Sequence, residues 1–260
     1  MKHLILSLAA AAALNIPPVL AAGGCTLQSP AYRIALLELY TSEGCSSCPP
    51  ADQFVSGLRA DGVTPQQAVL LSEHVDYWNY IGWKDPFSSK TFTDRQRWLS
   101  DLAGSRTIYT PEIFVGGKEQ RGWPGGVADT VKRINGMAAQ ADISITLGAV
   151  TAGGLPVQVK ASSVRDGKLY VALVESGVAS QVRAGENNGR LLRHDFVVRE
   201  WLAPVPLSSG VAMVGRTLAL PAGAGAGVAS GKLGISAFVQ TDKGEVLQAL
   251  ALPVCGDKGG

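Results

Sequence analysis

Apolar residues follow two different rhythms along this chain. Up to about residue 141, apolar runs alternate with segments of helical period. Ile34 to Tyr40 is apolar apart from Glu38 and predicts a buried strand. Ala51–Ala60 reads as a helix, ended by Asp61-Gly62. Ala68–Val75 predicts a second strand, apolar at first and then charged, as a buried strand is at a functional edge. Phe92–Ala103 reads as a helix with Trp98, Leu99 and Leu102 as its apolar or aromatic positions. Pro111 precedes a short strand, Glu112–Val115, and Gly116-Gly117 predicts a hairpin turn into a strand near Gln120. Val127, Val131, Ile134 and Ala138 stand at helical spacing and predict a closing helix over Val127–Ala139. Strands alternating with helices point to an α/β sheet.

Past Asp142 the rhythm becomes two. Ile143–Val150, Pro156–Ser162, Leu169–Val174, Asp195–Trp201, Thr217–Leu220 and Leu233–Gln240 read as strands, parted by Gly, Pro, Asn and Asp. Asp166-Gly167 predicts a tight hairpin turn, and Asp242-Lys243-Gly244 another, leading into Val246–Leu250. No helical pattern of comparable length appears, so this half is expected to be an all-β sandwich. The Gly/Ala run at Ala222–Ser230 reads as a loop. The expected organisation is a leader over 1–22, an α/β domain over 31–141 and a β-sandwich-like domain over 142–255.

Composition narrows the classes. With 46% hydrophobic and 17% charged residues, a packed core is expected and disorder is not. A net charge of +2 with scattered Lys and Arg gives no reason to expect nucleic acid as a partner. Lys2 and His3, the apolar Leu4–Leu14, Pro17-Pro18 and Val19-Leu20-Ala21-Ala22 together read as an export signal, cleaved after Ala21 or Ala22. The alternative is a membrane anchor, but the apolar run is too short to span ~30 Å. No later segment is long and apolar enough to cross a bilayer, so the mature chain is expected to carry no transmembrane segment and to be periplasmic or secreted.

Four cysteines acquire meaning in that compartment. Cys25 and Cys255 stand near the two ends of the mature chain and are expected to form a structural disulfide. The alternative is lipidation of Cys25, for which Leu20-Ala21-Ala22-Gly23-Gly24-Cys25 is a faint match that lacks the usual Leu and leaves Cys255 unpaired. Cys45 and Cys48 form a local Cys-x-x-Cys pair between the first strand and the first helix. At a helix N-terminus, free backbone N–H groups and the helix dipole favour a thiolate at Cys45. Cys48, one turn on, can close a disulfide or resolve a mixed one. Glu43, two residues before Cys45, is a caution, because a nearby carboxylate raises a thiol pKa.

Three other features accompany the pair. Tyr109-Thr110-Pro111 places an X-Pro bond directly before a strand. His74-Val75-Asp76-Tyr77-Trp78-Asn79-Tyr80-Ile81-Gly82-Trp83 follows the second strand and is dense in aromatic residues. Strand alternation puts His74 and Asp76 on one side, so His74 is a candidate proton relay oriented by Asp76. Tyr77, Trp78 and Trp83 are candidates to shape a substrate cleft. The plainer reading is a buried histidine under a packed aromatic lid. Glu186, Asn187, Arg190 and His194 make a polar cluster in the second half, read either as a turn-stabilised loop or as a loop packed over the dithiol.

Taken in order, the strand, the Cys-x-x-Cys helix, the strand, the helix, the X-Pro strand, the hairpin strand and the last helix make residues 33–139 resemble a thioredoxin-like domain. In that family a cis-proline packs against the dithiol, which implies a role for Pro111 and Thr110 in shaping a substrate groove. The longer motifs Glu38-Leu39-Tyr40-Thr41-Ser42-Glu43-Gly44-Cys45-Ser46-Ser47-Cys48-Pro49-Pro50-Ala51-Asp52, His74–Trp78, Gly82–Phe87 and Tyr109-Thr110-Pro111 resemble one group of secreted bacterial thioredoxin-like proteins of unknown function. The similarity extends through Gly185–Arg190 and His194–Arg199. It implies fold and compartment and supplies no substrate.

The expected fold is therefore an α/β thioredoxin-like N-terminal domain followed by an all-β sandwich-like C-terminal domain. The leading functional expectation is an exported thiol–disulfide oxidoreductase acting on a protein or small thiol or disulfide, with Cys45, Cys48, Thr110, Pro111 and His74 at its centre. No bound cofactor is expected. One alternative is Cu or Zn binding through Cys45, Cys48 and His74, which copper-handling thioredoxin-like proteins make conceivable by analogy. The other is a non-catalytic protein-binding module.

Overall fold

The computed structural model describes residues 24–207, 210–222 and 231–255. The expected leader at 1–22 and most of the Gly/Ala run lie outside the described residues. A short strand, β1 (Cys25–Gln28), leads into β2 (Ala35–Thr41), helix α1 (Pro49–Gly57) and β3 (Ala68–His74). Helix α2 (Lys90–Leu102), the hairpin β4 (Glu112–Val115) and β5 (Lys118–Glu119), and helix α3 (Val127–Asn135) follow. The rest is β: β6 (Asp142–Leu147), β7 (Leu155–Ser162), β8 (Lys168–Glu175), β9 (Val178–Gln181), β10 (Leu191–His194), β11 (Val197–Trp201), β12 (Val205–Pro206), β13 (Val211–Leu218), β14 (Leu233–Gln240) and β15 (Val246–Pro253).

The large sheet runs β15-β14-β8-β11-β3-β2-β4-β5, with β12 also on β8. A four-stranded antiparallel sheet, β1-β6-β7-β13, packs on one of its faces. The contact is a continuous apolar core in which Ile143, Ile145, Val157 and Val159 meet Leu36, Leu71, Leu173 and Ile235. Helices α1 and α3 cover the other face through Ala51, Val55, Val131 and Ile134, packed on Leu37, Leu39 and Leu70. Alternation along β2 and β3 explains why one strand serves both cores.

The expected fold class is corrected here. Among the described residues there are fifteen strands and three α-helices, the longest 13 residues, so β-structure dominates. Among the described residues there is also no separate sandwich appended to an α/β unit. Strand β11 pairs in parallel with β3, Val197 beside Ser72, and joins the later strands to the earlier ones in one sheet. The polar end of β3, Ser72-Glu73-His74, is buried like the rest of the strand. Ser72 donates its backbone N–H to Phe196 O at 2.8 Å and its hydroxyl to Asp195 O at 2.8 Å. A partner arriving from 125 residues downstream leaves no local signature. Asp166-Gly167 is likewise not a hairpin turn: β7 pairs with β6 and β13, β8 with β14 and β11, so this segment crosses between sheets.

A buried polar knot locks α2 to the large sheet. Arg95 pairs through Nε with Glu38 of β2 and donates from Nη2 to Gln240 Oε1 of β14 at 2.9 Å. Its guanidinium lies 4.9–5.7 Å from the rings of Phe238, Tyr170, Trp201 and Trp98. Burial opposes the charge, but Glu38, Tyr40 and Glu73 outweigh it and hold the guanidinium protonated. Burial first, and then the neighbouring Glu38, pushes the Glu73 carboxyl well up from the usual carboxylate range. At the chain ends, Cys25 and Cys255 are joined in a disulfide with their Cα atoms 6.3 Å apart.

Candidate dithiol site

Cys45 and Cys48 lie on the turn between β2 and α1, both free and both buried. Helix α1 begins one turn later than a Cys45 N-terminus would require: Cys48 is its cap residue, and Pro49-Pro50 fill the first helical positions. Proline is at home there because those positions have no intrahelical partner for an N–H. Cys45 is therefore tuned mainly by its neighbours. The hydrogen bond from Cys48 does most to lower its pKa to about 6; burial opposes this, and Ser47 and Thr110 assist. Cys45 Sγ lies 3.2 Å from Ser47 Oγ and 3.6 Å from the Thr110 carbonyl oxygen. Cys48 moves the other way, raised by burial and by the adjacent Cys45. Thr110-Pro111 is a cis peptide.

The aromatic segment after β3 braces this turn. Trp78 donates its indole N–H to Thr110 Oγ1 at 2.7 Å, and Trp83 donates to Glu43 Oε2 at 2.7 Å. Tyr77 donates its hydroxyl to Gln96 Oε1 at 3.2 Å. Gly44 allows the close approach, since a Cβ there would meet Ile81 Cδ1 at 3.1 Å and Trp78 Cβ at 3.2 Å. Glu43 does not face the thiol. Its carboxylate accepts from Trp83, Ser180 and His194, the last at 3.2 Å.

The loop after β9 closes over the turn. Asn187, fully buried, donates its side-chain amide to Glu43 O and to Cys45 O, both at 2.9 Å. Exposed Glu186 accepts the Ser46 N–H at 2.9 Å. Arg190 donates from Nη1 to the side-chain Oδ1 of Asn187 at 2.7 Å. Gly185 has φ +71°, and a Cβ there would stand 2.8 Å from Ile81 Cδ1, so the loop rests directly on the aromatic segment.

His74 sits behind the dithiol in a different constellation. Its Nδ1 bonds Asp85 Oδ2 at 2.7 Å, and Asp76, the partner that strand alternation suggests, instead accepts from Thr93. The strand ends at His74, so the period of two no longer applies beyond it. Asp85 also accepts the Glu43 N–H at 2.8 Å and the Phe87 N–H at 2.9 Å. Burial raises the Asp85 pKa, but His74 and these bonds outweigh it and bring it below the usual carboxylate value. The His74 and His194 rings meet edge to face, with centroids 4.9 Å apart. His194 Nδ1 lies 3.5 Å from Asp52 Oδ1. Burial works against a charged His194, yet Asp52 and Glu43 outweigh it and raise its pKa to about 9.

The structure thus gathers Cys45, Cys48, Thr110, Pro111, Trp78 and Trp83 around one turn, with Tyr77 hydrogen-bonded to Gln96 of α2. Among the described residues, Cys45, Cys48 and His74 do not converge as a ligand set; Asp52, His74 and His194 do. Asp52 and Asp85 have no assigned role in the sequence reading. Their one signal is position: Asp52 in the first turn of α1, and Asp85 before Pro86 at the close of the aromatic segment.

Residues 36–240 match the family described as "Protein of unknown function (DUF1223)", and the chain belongs to that family. No curated protein sequence matches it significantly. The structure is similar to the crystal structure of protein AGR_C_4864 from Agrobacterium tumefaciens, with a TM-score of 0.62 and 24% identity over 89% of this chain and 98% of that one. It is similar as well to HBP35 of Porphyromonas gingivalis, with a TM-score of 0.63 and 14% identity over 89% of this chain and 79% of that one. At these identities the likeness is one of fold alone.

Proposed function

We propose that this protein is an exported thiol–disulfide oxidoreductase with Cys45 as nucleophile and Cys48 as resolving thiol. The observation that carries the reading is a free Cys45–Cys48 pair on one turn beside the cis Thr110-Pro111 bond, with Cys45 Sγ 3.6 Å from the Thr110 carbonyl oxygen; the opposed tuning of the two thiols, Cys45 lowered and Cys48 raised, supports it. In the reductive direction the Cys45 thiolate attacks one sulfur of a substrate disulfide. A Cys45–substrate S–S bond forms, the substrate S–S bond breaks, and the leaving thiolate takes up a proton. Cys48, losing its proton, then attacks Cys45 Sγ and expels the second substrate thiol. The protein ends oxidised by two electrons and the substrate reduced by two; the reverse order oxidises a dithiol.

Export is part of the proposal. It rests on the leader pattern at 1–22, the similarity to secreted proteins and the Cys25–Cys255 disulfide, a bond that persists in oxidising compartments. Among the described residues no helix is long and apolar enough to cross a membrane.

The burial of both sulfurs favours a second reading, in which the pair forms a structural disulfide in a binding module. Equilibration with glutathione buffers, followed by thiol trapping and mass measurement, separates the two. An exchange catalyst is expected between about −270 and −120 mV, and a value below about −300 mV would favour the structural disulfide. Disulfide exchange that survives Cys45→Ser would overturn the catalytic reading.

A further inference from the structure

Three buried side-chain atoms close to the dithiol have no hydrogen-bond partner: Asp52 Oδ1, His74 Nε2 and His194 Nδ1. The three residues converge: one ligand atom from each lies within 4.8 Å of one from each of the others. From this convergence we infer a binding site for a borderline divalent cation of the Zn²⁺ type, held by Asp52, His74 and His194 and separate from the two thiols. The inference is independent of the redox reading.

The chemistry of the three donors fits. Two imidazoles and one carboxylate leave open coordination positions on such a cation and suit Zn²⁺ and its first-row neighbours. At metal–ligand distances of about 2.0–2.1 Å, tetrahedral donors stand roughly 3.3 Å apart and two imidazole centroids roughly 5 Å apart. Here His194 Nδ1 and Asp52 Oδ1 are 3.5 Å apart, and the two ring centroids 4.9 Å.

The surrounding residues orient the donors. His74 Nδ1 bonds Asp85, and His194 Nε2 bonds Glu43, so each ring has its other nitrogen turned inward. A carboxylate behind each ligating histidine is the usual support of a metal site, because it fixes the tautomer and raises ligand basicity. Phe87 packs edge-on against both rings, at 5.2 and 5.9 Å, and limits their rotation.

Charge asks for a cation as well. Glu43, Asp52 and Asp85 are three buried carboxylates, and among the described residues they pair with the two histidines and with no Lys or Arg. Buried charge is costly unless it is fully compensated. A dication would compensate it. A surface cleft lined by Pro49, Gln53, Arg190 and Leu192 reaches Asp52 and His194, and gives an ion a route from solvent.

The test uses the full mature chain stripped with chelator and titrated calorimetrically with ZnCl₂. One equivalent is expected to bind to the wild type and to a Cys45→Ser/Cys48→Ser protein alike. Asp52→Asn and His194→Gln are expected to weaken it by at least about 100-fold, beyond the 10–100-fold typical of a lost supporting residue. Because either variant could unfold, Co²⁺ is also added to the wild type. An absorption spectrum with nitrogen and oxygen ligands and no thiolate charge-transfer band is expected. A thiolate band, or Zn²⁺ binding lost in the double Cys variant, would place the metal on the dithiol and overturn the assignment. No stoichiometric Zn²⁺ in the wild type would leave a hydrogen-bonded ionic cluster only, and would overturn it equally.

Discussion

Asn187 donates its side-chain amide to the carbonyl oxygen of Cys45 across 142 residues of sequence, at 2.9 Å. The same amide serves Glu43 O, so one buried side chain satisfies two carbonyls of the dithiol turn. Asn187→Ala strands both. It is expected to lower stability by about 1–3 kcal/mol, the usual cost of an unsatisfied buried polar group. It should also loosen the covering loop and speed alkylation of Cys45 by iodoacetamide. Urea unfolding and timed alkylation read the two effects, and unchanged values in both would remove the loop as the cover of the site.

Cys45 should react as a thiolate at mildly acidic pH. Its alkylation rate is expected to rise through a midpoint at about 6, set first by the hydrogen bond from Cys48. Cys48→Ala removes that bond, so the midpoint should climb toward about 8.5, the value of a free cysteine. The sign for stability follows. The folded pKa lies below that of the unfolded thiol, so the contribution to the reduced protein is full above about pH 8.5 and lost as pH falls through the folded value. Denaturant midpoints of the reduced wild type and of Cys45→Ala, compared from about pH 9 to about pH 5, test it.

Glu112 follows the opposite rule. Burial is the main cause of its rise to about 7, with Glu119 adding to it, while Gln96 and Ser100 hold it back. A carboxyl raised on folding adds no penalty below the unfolded value of about 4.3, and destabilises as pH rises through its folded pKa. Glu112→Gln is expected to flatten the decline of stability between about pH 5 and about pH 8. Parallel pH profiles for wild type and variant would contradict it.

Arg95 is a structural cation. Arg95→Ala leaves Glu38 buried without its counter-charge and opens a gap among four aromatic rings. A cost of about 3–5 kcal/mol is expected, as for breaking a buried ion pair from one side. Adding Glu38→Gln to Arg95→Ala should recover part of it, which equilibrium unfolding of the two proteins would measure.

Some of this molecule is legible in its sequence. The strands Ala35–Thr41 and Glu112–Val115 announce themselves as apolar runs, and the Val127, Val131, Ile134 spacing marks α3. Local rhythm cannot encode the partner of a buried strand end, and so the joining of β3 to β11 is invisible. The same holds at the site. Cys45-x-x-Cys48 and Thr110-Pro111 stand out by spacing and backbone chemistry. The pairing of His74 with Asp85, and the meeting of Asp52 with His194, depend on how a loop folds back and on a strand pair 142 residues away from α1 in sequence. Polar clusters of this kind become visible only when the fold assembles them.

The Cys25–Cys255 bond turns the backbone between those residues into a covalent ring. A protease that nicks one exposed loop of such a ring produces a linear molecule, not two fragments. The nicked protein keeps its full mass plus one water and comes apart only when a reductant cleaves the disulfide. Mass spectrometry before and after reduction would show the difference directly, and a single cut need not cost the molecule any of its parts.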